Sequence, residues 1–141
     1  MEVTPYSIAE SFKYVTEEPG SGRDHPLIMA MLTLDHDWPE HDEVGWCSAL
    51  PNFIHHMLGL ERSKSLMAQG WLNHGKIISL PEARVGFDLV ILSRSGNPEW
   101  GHDGYYSGHS KNLIYLLGGN QSNGVNVVGC EINRLLGIRR F

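Results

Sequence analysis

Trp46-Cys47-Ser48-Ala49-Leu50-Pro51-Asn52-Phe53-Ile54-His55-His56-Met57-Leu58-Gly59 is the stretch whose reading decides the fold. After the cysteine, Leu50, Phe53, Ile54, Met57 and Leu58 recur with the 3.6-residue period of an amphipathic helix, and Gly59 supplies a left-handed stop. The pattern predicts a helix from Ala49 to Leu58 with Cys47 at or just before its N-terminus. There the partial positive charge of the helix favours a thiolate, and the first backbone amides can stabilise an oxyanion. Pro51 restrains this reading. With Cys47 as N-cap it would fall at N4, where its missing amide should bond the N-cap carbonyl. Either the regular helix starts at about Ser48 or its first turn is distorted.

Upstream, Ser7-Ile8-Ala9-Glu10 reads as a capping box, and Ile8, Phe12 and Val15 continue a helix that Glu18-Pro19-Gly20-Ser21-Gly22 ends. Pro26 suits a first helical position ahead of the stripe Leu27, Ile28, Met31 and Leu32. The polar segment Asp35 to Asp42 reads as a loop. Downstream, a further helix is expected from about Ser63 to Leu72. The pattern then changes to short apolar or β-branched runs at Phe87 to Ser93, Gly104 to Ser107, Leu113 to Leu117, Val125 to Val128 and Leu136 to Arg140. Gly, Asn, Ser and Pro separate them, as in an antiparallel meander. Helices first and strands afterwards predict an α+β fold, N-terminal helices packed on an antiparallel sheet. With no repeat or linker, residues 1–141 form one domain, a length that buries roughly 68–70% of its unfolded surface.

The formal net charge is −5 and no run of lysines and arginines occurs; Arg134, Arg139 and Arg140 are too few to make the basic face that nucleic acid requires. Cys47 and Cys130 are the only cysteines, too few for a disulfide scaffold. No 18-residue apolar run is present, so no membrane span is expected. Met1-Glu2-Val3-Thr4-Pro5 lacks the basic and apolar regions of a signal peptide. The protein is therefore expected to be made in the cytoplasm, and to act outside it, if it does, only after delivery by a holin, a phage particle or a secretion apparatus.

Read for chemistry, Cys47 is followed by His102 in Gly101-His102-Asp103-Gly104 and by an amide-rich turn, Gly118-Gly119-Asn120-Gln121. A thiol that attacks, an imidazole that takes and returns the proton, and a third group that fixes the ring form a nucleophilic set. Asn120 lies one strand beyond the strand His102 opens, and in an antiparallel pair the end of one strand lies beside the start of its predecessor. Gln121 is the alternative orienter or a substrate contact, and Asn120 can also be read as a turn-former. Asp103, adjacent to His102 on a strand, is expected to face the opposite way, into water. Trp46 and Trp100 flank the two reactive residues as groove walls or as core filling. Cys130 reads as inert. His55 and His56 flank the apolar stripe of the helix, and His74 and His109 occupy loops. Asp35-His36-Asp37 and His41-Asp42-Glu43 offer metal-binding side chains, but in no His-Glu-x-x-His spacing. A solvated acidic loop is the plainer reading, and no metal or other cofactor is expected.

These motifs resemble a bacterial and phage family of small papain-fold hydrolases related to the NlpC-like and CHAP cell-wall amidases and endopeptidases. The resemblance runs through Glu18-Pro19-Gly20, His25-Pro26-Leu27-Ile28, Asp42-Glu43-Val44-Gly45-Trp46-Cys47-Ser48-Ala49 and Gln69-Gly70-Trp71-Leu72. It continues in Gly86-Phe87-Asp88-Leu89-Val90-Ile91-Leu92, Gly101-His102-Asp103-Gly104 and Leu117-Gly118-Gly119-Asn120-Gln121. It implies a papain-like fold and hydrolysis of an amide in peptidoglycan, with Cys47 as nucleophile, His102 as general base and acid and Asn120 as orienter. It also implies a phage lysin, a tail-associated enzyme or an interbacterial toxin, the last with an immunity protein as partner. Pro51 and Asp103 depart from the family pattern. A catalytically inactive wall-binding or virion protein is the competing reading, and a zinc hydrolase a weaker one. The bond, a sugar-to-alanine amide or a peptide bond, is not legible.

Overall fold

Thr4-Pro5 starts the first helix: Pro5 takes N1, where a missing amide costs nothing, and Thr4 and Ser7 exchange the two bonds of a capping box. In this computed structural model, the described residues are 2–20, 23–94 and 97–141, excepting the side chains of 97–100. Helix α1 spans Pro5–Ser11, so Ser7 is its third residue and not the cap the sequence suggested. Val15 lies beyond its end and pairs through its carbonyl with the Val125 amide at 3.0 Å. Helix α2 (Pro26–Leu32) also begins with proline, and its cap is the His25 ring, whose Nδ1 accepts from the Leu27 amide at 3.1 Å.

Helix α3 (Ala49–Leu58) has Ser48 as N-cap and Gly59 in the left-handed region at φ 68°. Pro51 is thereby the third helical residue, within the first turn, where an amide has no intrahelical partner. The helix expected over 63–72 is absent. A 3-10 helix covers only Ala68–Asn73, because the Ser63 and Ser65 hydroxyls accept from the amides of Ser65 and Met67 at 3.2 and 3.0 Å, and Lys64 takes φ 56°. Serine side chains here offer the backbone local bonds that compete with a helix.

The rest is one antiparallel sheet of β1 (Lys76–Ile78), β2 (Asp88–Arg94), β3 (Asn97–His109), β4 (Leu113–Gln121), β5 (Gly124–Glu131) and β6 (Leu135–Arg140), in the order β1-β6-β2-β3-β4-β5. Strands β2 to β5 form the expected meander. The last strand departs from it and returns to pair with β2, where Asp88, fully buried, receives both Nε and Nη2 of Arg140 at 2.6 and 2.7 Å. The architecture is α+β.

Both faces of the sheet are covered. Leu89, Ile91, Tyr105 and Leu117 meet Trp46, Leu50 and Ile54 beneath the helices. Val90, Leu92, Tyr106, Ile114, Leu116 and Ile138 form a second apolar cluster on the other face. Among the described residues, no helix is long and apolar enough to cross a membrane.

Candidate active site

Cys47 is placed by its helix. It precedes the α3 cap by one residue, is 8% exposed, and lines a cleft of about 370 Å³ with Gly45, Leu66, Met67, Gln69, His102 and Asn120. Helix-end polarity does not prevail here. Burial first, and the charge of Asp103 second, push the thiol up to about 12, against smaller lowering by hydrogen bonds from the Asp103 backbone and from Ser48. The resting thiol is therefore protonated at neutral pH, contrary to the expectation of a thiolate-favouring helix end.

Strand β3 supplies the imidazole. Its pairing with β4 runs from His109↔Ile114 to Tyr105↔Leu117, while β2 pairs with it up to Ser93↔Gly101 and beyond. Residues 101–104 thus stand at the end of the sheet where β3 and β4 cease to pair, and the cleft opens there. Gly101 is required: a Cβ would lie 2.8 Å from the Leu92 carbonyl oxygen and 3.0 Å from the Ala68 Cβ. His102 is 8% exposed, and its pKa is held below the ordinary value mainly by desolvation, with Arg94 and Arg134 acting in the same direction and the Gln121 hydrogen bond opposing.

The residue that holds the His102 ring is Gln121, not Asn120. His102 Nε2 lies 2.8 Å from Gln121 Oε1. The amide cannot be turned round, because Gln121 Nε2 donates to the Asn126 carbonyl at 2.6 Å and to the Leu116 carbonyl at 3.3 Å. Oε1 must accept, so His102 carries its proton on Nε2 and leaves Nδ1 unprotonated. A bulge explains the correction. Between the pairs Gly118↔Asn126 and Gln121↔Gly124, β4 carries one residue more than β5, with Asn120 at φ 57° as part of that irregularity. The extra residue inverts the alternation beyond it and brings Gln121 onto the imidazole. Asn120 lines the cleft instead. Asn126, which returns a bond from Nδ2 to the Gln121 carbonyl at 2.7 Å, is a supporting residue that the sequence reading missed. Its only signal was its register opposite Gly118 across a hairpin whose Ser122 and Asn123 both have positive φ.

Two other expectations are corrected. Trp46 is no groove wall: it is fully buried, its Nε1 donates to Glu17 Oε1 at 2.9 Å, and its ring occupies the space where a Gly119 Cβ would sit 2.6 Å away. Asp103 does not face water. Alternation holds, but its side of the sheet lies beneath α3, where the carboxylate is fully buried and accepts from the Ser48 hydroxyl. The Trp100 side chain lies outside the described residues. Cys130 is 8% exposed in an adjoining cleft, with its thiol pushed up chiefly by burial.

The acidic loop is committed to structure. Asp42 accepts from the amides of Glu18 and His25 at 2.9 and 2.8 Å, Asp24 faces His41 at 3.3 Å, and Asp35 pairs with Arg62 at 2.9 Å. Among the described residues, no group of three or more His, Cys, Asp or Glu is arranged to hold a metal ion. No family model matches the chain, and no curated protein gives a significant match.

Proposed function

We propose that the protein is a papain-like thiol hydrolase in which Cys47 attacks an amide carbonyl, with His102 as base and acid and Gln121 as the residue that orients it. The observation that supports this reading is the shared cleft of Cys47 and His102, with Nε2 of the imidazole fixed on Gln121 and Nδ1 left as acceptor. Because both partners rest uncharged, proton transfer accompanies attack: the Sγ–H proton passes to His102 Nδ1 as the sulfur–carbon bond forms and the carbonyl oxygen becomes an oxyanion beside the first amides of α3. The imidazolium returns the proton to the departing amine as the carbon–nitrogen bond breaks. Water, deprotonated by His102, then cleaves the thioester.

The substrate proposed is the peptide portion of bacterial peptidoglycan, cut as by an amidase or endopeptidase. It is supported by the resemblance of the Trp-Cys, Gly-His and Gly-Gly-Asn-Gln motifs to wall hydrolases. One observation favours the competing reading of an inactive wall-binding protein: the thiol held at about 12. Turbidity of permeabilised Gram-negative cells separates the two. Wild-type protein and Cys130→Ser clear the suspension, and Cys47→Ala does not. Equal clearing by Cys47→Ala, or none by wild type, refutes the thiol mechanism.

A further inference from the structure

Asp103 is a carboxylate with no exposure to solvent, set directly under the start of α3. Its Oδ2 takes the hydroxyl of Ser48, which occupies the N-cap position but makes no side-chain bond to its own helix. Its Oδ1 has no hydrogen-bond partner among the described residues, and neither has the hydroxyl of Tyr105, the next residue on the same face of β3. The nucleophile candidate is the immediate chain neighbour of Ser48 and interacts with both the charge and the backbone of Asp103. A full negative charge in this place opposes a second one on the adjacent sulfur.

We propose that Asp103 is a positioning residue that gates Cys47: bound to Ser48 it sets the start of α3, and its ionisation suppresses the thiolate while its protonation permits it. This rests on the reading of Cys47 as nucleophile. The surroundings leave the role to Asp103 alone. β2 presents Ile91, its register partner, and Leu89; β4 presents Leu117, Gly118 and Gly119; none of these titrates. Among the described residues, the titratable groups on this side include Cys47, Tyr105 and, farther along α3, His55, whose ring centroid lies 6.3 Å from that of Tyr105, with Tyr6 packed against the same apolar cluster and Glu17 held on Trp46 Nε1; of these, Cys47 and Tyr105 feel the Asp103 charge. His102 is adjacent in sequence but directed to Gln121. Desolvation raises Asp103 to about 7, against a lowering by the Ser48 bond, so the gate operates near neutrality.

The test is the rate of Cys47 alkylation by iodoacetamide in the folded protein, followed by peptide mapping from about pH 5.5 to pH 9, for wild type and Asp103→Asn. Asparagine still accepts the Ser48 hydroxyl but carries no charge. The ratio of variant to wild-type rate is expected to stay near one below about pH 6 and to rise to roughly threefold or more above about pH 8, a change of half a pKa unit or more in the thiol. Should Asp103→Asn not fold, the wild-type profile itself serves: the logarithm of the Cys47 rate against pH is expected to flatten through about pH 7, where Asp103 ionises, and to regain its slope above that. A ratio constant across the range, or a wild-type profile of unbroken slope, overturns the gate. Alkylation needs no substrate, so failure to cut peptidoglycan refutes the functional reading and leaves this result standing.

Discussion

Asp103→Asn has a stability consequence that can be worked from the structure. The carboxyl moves from an ordinary 3.8 to about 7 on folding because burial removes its hydration. A raised value means that the native state binds the proton more tightly than the unfolded chain. The stabilisation is therefore complete below pH 3.8 and is lost as pH rises through about 7. The whole span corresponds to about 4 kcal/mol, of which about 3 kcal/mol falls between pH 4.5 and pH 8. Asparagine cannot ionise, so the variant gains on wild type by that amount as pH rises, whatever the other titrating groups do to both proteins alike. Urea unfolding followed by tryptophan fluorescence at pH 4.5, 6 and 8, extrapolated linearly, gives the difference directly. A difference that does not change with pH, or that turns against the variant at pH 8, refutes the claim that Asp103 is held as a buried acid beneath α3.

Gln121→Ala should lower kcat by roughly tenfold to a hundredfold with little change in KM, since it frees the imidazole without touching substrate; Asn120→Ala should act mainly on KM, and steady-state kinetics on a peptide substrate distinguishes them. Gly119→Ala should destabilise by about 1–3 kcal/mol, because the new methyl would meet the Trp46 ring at 2.6 Å, as chemical denaturation will show. His36→Ala and His41→Ala should leave activity nearly unchanged and chelators should have no effect; loss of activity in both variants and on chelation would replace the thiol reading with a metal one.

The parts legible in the sequence are those where local signals agree. The α3 stripe with Gly59, and Pro26 at the start of α2, each state their own boundaries. The placement of Cys47 just before a helix and of His102 on a glycine-flanked strand was legible from their settings, and the fold brings both to one cleft. What the sequence concealed depends on contacts between distant segments. One extra residue in β4 exchanges the roles of Asn120 and Gln121, and no local pattern announces a bulge that exists only against β5. Asp103 would face water only if His102 took the helix-covered face; the register instead sets Asp103 beside Ile91 beneath α3 and His102 beside Leu92 on the other face, an assignment that pairing with β2 decides. Trp46 next to a reactive cysteine suggested a groove, but the space left by Gly119 and the Glu17 carboxylate draw it into the core. The stretch 63–67 lost its helix to serine hydroxyls that bond their own backbone.

Under the proposed function, Cys47 cuts an amide in peptidoglycan with His102 as its base. The decisive experiment is mass spectrometry of purified muropeptides incubated with wild type, Cys47→Ala and His102→Ala. Wild type alone should release fragments whose masses differ from the parent by hydrolysis of one amide, with both variants inert and folded. Intact muropeptides after incubation with wild type, or the same fragments from Cys47→Ala, would contradict it.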